Sequence, residues 1–106
     1  MGSRNLYDGI PGSLPEELFD DLLTTGTFRV ERIVSHGHAS PPGFWYDQAD
    51  SEWVVVLEGA ARLLFEGAAE AVELKPGSYL NVPAHRRHRV ELTAPDRRTV
   101  WLAIHY

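Results

Sequence analysis

The chain contains no cysteine, and that absence removes disulfide frameworks, thiolate catalysis, iron–sulfur ligation and thiolate zinc sites together. Any metal would have to be held by imidazole, carboxylate, amide or phenol. No apolar stretch approaches the ~18 residues of a membrane span, and the polar opening "MGSRNLYDGIPGS" lacks the apolar core of a signal peptide. It begins Met-Gly, yet Leu6 stands where a myristoylation signal requires Ser or Thr. A cytoplasmic protein with no membrane partner is expected. Positive charge is also in short supply, with 10 Lys+Arg against 15 Asp+Glu and a formal net charge of -5. Binding to a phosphate backbone has no obvious source, so no nucleic-acid partner is expected. There is no internal repeat and no low-complexity segment.

What is present fits one domain. A chain of 106 residues buries roughly two-thirds of its extended surface around a single core. The opening dozen residues read as an arm. "SLPEELFDDLLTTG" then carries a helix signature: Ser13 as cap, Glu16 as its capping-box partner, Pro15 in the first turn and Gly26 after the end. Leu14, Leu18 and Leu22 recur at four-residue spacing, with Phe19 and Leu23 beside them. The expected division is an arm and helix over 1–26 and a barrel over 27–106.

From Thr27 the period changes to two. "TFRVERIVS", "GFWYDQ", "EWVVVLEG", "ARLLFEG", "AVEL", "SYLNVP", "HRVELT" and "TVWLAIHY" are short β-branched or aromatic runs parted by turn residues. About eight short strands after one helix predict an all-β barrel or sandwich. In "HRVELT" the alternation places His88, Val90 and Leu92 on one, inward face. In "EWVVVLEG" it groups Glu52, Val54 and Val56, with Trp53, Val55 and Leu57 equally apolar on the other side, so the choice of inward face stays open. A three-residue "ADS" hairpin, symmetric about Asp50, sets Gln48 opposite Glu52 and Tyr46 opposite Val54; a shifted register presents Trp45 and Asp47 instead.

Gly77-(x)5-Pro83-x-His85-x2-His88 resembles the second motif of the cupin superfamily, and Glu52-(x)6-Gly59 resembles the end of its first. The resemblance spans about Thr27 to Tyr106 and implies a small jelly-roll barrel. In that family an H-x-H pair, a Glu and the second-motif His hold a divalent metal. Glu52 and His88 match the last two. The H-x-H positions hold Tyr46 and Gln48, or Trp45 and Asp47 if the gap is four, and His85 stands where the family often has Gly. His36 and His38 lie too far upstream for the family's pair, unless "ASPPGFWYDQAD" loops them back.

The resemblance therefore implies a metal site of Glu52, His88, Gln48 and His85, with His85 and Tyr46 as catalytic candidates. Such an oxygen–nitrogen donor set suits manganese, iron, nickel or zinc. It also implies a homodimer, since small cupins commonly pair through edge strands. Two functional readings follow. One is a metallocupin acting on an unidentified small polar molecule. The other is a non-catalytic, metal-free cupin that binds or senses a small molecule. A third arrangement gathers His36, His38, His85 and His88 as a four-imidazole site. Arg87 is a candidate grip on an anionic substrate, and Trp101 and His105 share a face of the last strand that could line the barrel.

Overall fold

The computed structural model describes residues 1–106. Eight strands form two antiparallel sheets: β1 Leu18–Thr24, β2 Arg29–Ser35, β3 Glu52–Glu58, β4 Ala61–Phe65, β5 Val72–Leu74, β6 Tyr79–Val82, β7 His88–Thr93 and β8 Thr99–His105. The larger sheet has the order β1-β2-β8-β3-β6 and the smaller β5-β4-β7. Seven of the eight expected runs are strands. The fold chooses the face that the sequence left open in β3, with Glu52, Val54 and Val56 buried and Trp53 and Val55 only half so. Ile33, Val54, Val56, Leu63, Leu74 and Trp101 are among the side chains filling the space between the sheets. Burying each large apolar side chain of this kind stabilises by about 1.5–3 kcal/mol. No helix is long and apolar enough to cross a membrane.

The expected N-terminal helix is absent, and its apolar half is strand β1. Leu18 to Thr24 pair antiparallel with β2, with a register shift between Asp21 and Leu23. The helical spacing of leucines was real, but an isolated helix of this length is marginal in water. The segment gains more as the partner of β2, whose edge would otherwise present unpaired backbone groups. "TTGT" serves as a hairpin turn rather than a helix end: Thr25 Oγ1 accepts from the backbone N–H of Thr27 and of Phe28.

Arg32 shows what favours the strand. It is nearly buried on β2 and forms a bond of 2.5 Å to Asp20 of β1. The same guanidinium donates to the carbonyls of Leu6 and Asp8 at 2.9 and 2.7 Å. One side chain thus ties both β1 and the N-terminal arm to the sheet. Arg32→Met, which keeps the apolar stem, is expected to cost about 2 kcal/mol. Limited proteolysis read by intact mass should then show rapid cleavage ahead of Leu18. Unchanged resistance would refute this role of Arg32.

"GFWYDQ" is the expected strand that does not form. Its segment runs beside β7 and touches it at separated points, Ser40 N–H donating to Val90 O and Tyr46 N–H to His88 O. Five residues lie between Ser40 and Tyr46 where β7 spends only Arg89 between Val90 and His88. Pro41 and Pro42 cannot donate to a ladder, and the excess chain loops outward. The "ADS" hairpin is therefore absent too, since β3 pairs with β6 and β8. A register shift between β4 and β7 leaves Glu91 as an extra residue, and the bulge reverses the faces beyond it. Leu92, expected inward, is turned out, while Thr93 is fully buried.

Candidate functional site

A cavity of roughly 70 Å³ lies between the two sheets. The larger sheet contributes Glu31 and Ile33 from β2, Glu52 and Val54 from β3, and Trp101 and His105 from β8. The smaller adds Leu63 of β4 with His88 and Val90 of β7. Tyr46 and Gln48 approach from the loop beside β7, and Glu17 and Phe19 from the start of β1. By the same volume measure a water needs about 10–15 Å³, so this cavity, partly open to solvent, has room for about five waters or a compact polar molecule.

Backbone register explains how the polar residues meet. Glu52 lies opposite His105 across the β3–β8 ladder. Glu31 pairs with Ala103 and Arg29 with His105 across β2–β8, so Glu31 and His105 share the inward face as diagonal neighbours. His105 Nε2 lies 3.1 Å from Glu31 Oε1 and 3.8 Å from Glu52 Oε2. His88 Nε2 lies 3.8 Å from the other Glu52 oxygen. The result is a row of alternating carboxylate and imidazole along the cavity wall, Glu31, His105, Glu52, His88.

Each group is held differently. The hydrogen bond to Glu31, helped by the Glu52 charge, raises the His105 pKa against the opposing effect of burial. Burial pushes Glu31 upward, but the bonds and charges of His105 and Arg29 outweigh it and the carboxyl ends below its ordinary value. The two shifts, up for the imidazole and down for the carboxyl, are those of an ion pair. Burial raises the Tyr46 phenol, and the carboxylates of Glu17, Glu52 and Glu31 add to it. His88 Nδ1 is 2.8 Å from the Arg86 carbonyl. A carbonyl only accepts, so Nδ1 donates to it, and Nε2 is the ring atom turned to the cavity and to Glu52.

The structure gathers most of the residues singled out from sequence and separates others. Glu52, His88, Gln48 and Tyr46 all line the cavity, as do Trp101 and His105. Tyr46 stacks on His88 with ring centroids 5.4 Å apart. His85 is outside: its imidazole is exposed and bonds Asp47 at 2.8 Å. Asp47 is thus a loop residue rather than a ligand position. His36 and His38 bond each other locally at the end of β2. The four-imidazole arrangement of His36, His38, His85 and His88 does not form. Arg87 turns to Glu66 and Arg86 packs over Phe65, so no guanidinium enters the cavity.

Glu31 and Glu17 were missed by the sequence reading. In "RVERIV" charges fall on both faces of the strand, and only the pairing with β8 reveals that Glu31 faces inward. Glu17 sat within the expected helix; in the fold its carboxylate accepts a short hydrogen bond from Ser35, whose oxygen also accepts from Trp101 Nε1.

The metal centre that the resemblance implies needs four converging donors. No three histidine or carboxylate side chains are placed to hold one ion. His105 Nε2 is already committed to Glu31. A protonated phenol at position 46 and a neutral amide at position 48 replace the imidazole pair, and His85 is too far out on its loop to compensate. These residues do not fit a four-ligand centre.

Comparison with known proteins gives the lineage. The model for the Cupin domain family matches residues 29–105. A putative mannose-6-phosphate isomerase from Ralstonia eutropha JMP134 is 46% identical over 99% of this chain and 97% of that one, with a TM-score of 0.94. A cupin superfamily protein of Desulfitobacterium hafniense shares 20% identity over 91% of this chain and 82% of that one, with a TM-score of 0.73. An RmlC-like cupin of Desulfovibrio desulfuricans shares 19% over 99% and 96%, with a TM-score of 0.74. These two show likeness of fold alone. No curated protein matches the sequence. With two facing sheets, the Glu52-to-Gly59 and Gly77-to-His88 motifs in place and a family match across nearly the whole barrel, the chain belongs to the cupin superfamily.

Proposed function

We propose that this cupin binds a compact polar molecule in its barrel cavity and does so without a resident metal. One observation carries the reading. The Glu52 carboxylate, His88 Nε2, the Tyr46 hydroxyl and the Gln48 amide all border the cavity, and none has a hydrogen-bond partner within the protein. Arg89 Nε is the one buried side-chain polar atom without a partner, so these four groups are within reach of solvent, and a ligand with complementary donors and acceptors takes over the bonds that water makes there.

The name of the Ralstonia neighbour raises isomerisation of a phosphorylated sugar. One feature argues against a phosphosugar in this cavity. Its dianionic group would meet Glu17, Glu31 and Glu52 with no lysine or arginine among the lining residues, where phosphate sites use such cations.

Protein purified without a polyhistidine tag is expected to hold no stoichiometric divalent metal, and chelator should leave its melting temperature unchanged. A small polar ligand at a hundredfold excess over its Kd should raise the melting temperature by on the order of 10 °C. His88→Ala should abolish most of that rise, whereas His85→Ala should preserve it. Stoichiometric metal that is lost in His88→Ala would overturn the reading in favour of a metallocupin.

A further inference from the structure

We infer that the ligand of this cavity is a compact protonated amine. The inference rests on the reading that the cavity binds a small molecule and adds the charge that the molecule carries. Three carboxylates border the space, those of Glu17, Glu31 and Glu52, and their internal compensation is unequal. Glu31 is matched by Arg29 at 2.8 Å and by His105 at 3.1 Å. Glu17 meets only the neutral hydroxyl of Ser35. Glu52 is 9% exposed, borders the cavity and has no donor within hydrogen-bond reach; the His105 imidazole, which it shares with Glu31, and the His88 imidazole each stand 3.8 Å away. A carboxylate that is nine-tenths buried calls for a cation or a strong donor.

The remaining walls favour an organic cation. Phe19, Tyr46 and Trp101 line the same space, and aromatic faces beside carboxylates attract ammonium groups through both the ring quadrupole and direct charge. The lining is rich in acceptors: Glu52, Glu17 and the Gln48 carbonyl. Against these stand the Tyr46 hydroxyl and the Gln48 amino group. An R–NH₃⁺ group has three donors and no acceptor, which is the complement of this set. The Tyr46 phenol responds to the same field, since the neighbouring carboxylates help hold its proton.

The test compares molecules of one skeleton. 1-Amino-2-propanol and 1,2-propanediol differ in an ammonium against a hydroxyl; inorganic phosphate and manganese(II) complete the set. Binding is followed by NMR titration of the whole chain, with the Trp101 indole and the His88 ring as reporters. The amine is expected to bind at least about tenfold more tightly than the diol, the gain typical of a charge-assisted hydrogen bond. Glu52→Gln should bring the amine to the level of the diol. Glu17→Gln, at the mouth and outside the β ladders, should weaken the amine alone and guards against a folding defect in the first variant. Equal or tighter binding of the diol or of phosphate would overturn the ammonium inference and leave the small-molecule reading standing. Manganese binding at these reporters, or no shift with any probe, would overturn both.

Discussion

Replacing Gly59 with alanine is expected to destabilise the fold by on the order of 3–5 kcal/mol, enough to leave a marginal domain largely unfolded at 37 °C. Gly59 occupies the corner where the chain leaves β3 of the larger sheet for β4 of the smaller, and its φ is +87°. A side chain there meets two costs. The left-handed backbone costs about 1–2 kcal/mol in a residue with a Cβ. The Cβ would also stand 2.6 Å from the Arg98 carbonyl oxygen and 2.6 Å from Thr99 Cα, and against the Thr99 hydroxyl. Those neighbours cannot yield. Thr99 is fully buried and donates to the Ala60 carbonyl at 3.1 Å while accepting from Ala60 N–H. Gly67→Ala separates the two costs: its φ is +83° but nothing lies within 4 Å of the added carbon, so only the backbone share, about 1–2 kcal/mol, should appear. Urea denaturation of both variants decides the matter, and equal midpoints would show that the close approach at Gly59 costs nothing.

That corner explains what could be read from sequence. The glycine closing Glu52-(x)6-Gly59 was recognised as a motif position, and the fold supplies its reason in a sheet-to-sheet crossing with no room for a methyl group. Most strands were legible as short β-branched runs between turn residues, but Glu52–Glu58 is apolar on both faces, and only the fold shows that Glu52, Val54 and Val56 are the buried set. Leu18–Thr24 was not legible as a strand, because its leucines satisfy a helical stripe as well as a strand; what selects the strand is β2's open edge and the reach of Arg32, both remote in sequence. Leu92 was misassigned because a bulge at Glu91 reverses the faces and leaves no mark in residue order. The cavity was half legible. Glu52 and His88 stand at motif spacing, whereas Glu31 announces itself only when β2 is laid beside β8. Tyr46 and Gln48 reach the cavity although the hairpin expected to bring them there does not form. Contact with the β7 edge through Tyr46 and His88 brings them instead, a reminder that a correct residue can be found through an incorrect register.

His105→Ala should cost about 1.5–3 kcal/mol near pH 6, the worth of a hydrogen bond between charged groups, because Glu31 loses one of its two cationic partners. His105 and Glu31 are 6% and 8% exposed but line a cavity that opens to solvent, which screens part of their attraction. With the imidazole gone, Glu31 keeps Arg29 but loses its inward partner, and the Glu31 and Glu52 carboxylates then line one cavity without the cation between them. The pH dependence follows from the signs of the two shifts. His105 is raised above its ordinary 6.5, so its contribution is complete below pH 6.5 and is lost as pH climbs through the higher native value. Glu31 is lowered below its ordinary 4.5, so its contribution is complete above pH 4.5 and is lost as pH falls through the lower native value. Both are in full force between 4.5 and 6.5. The stability gap between wild type and His105→Ala should therefore be widest in that window and narrow on the alkaline side, as the native imidazole gives up its proton. Urea midpoints at pH 5.5, 7 and 9 measure the gap. A gap that stays constant with pH would mean that His105 stabilises the cavity wall by packing rather than by charge.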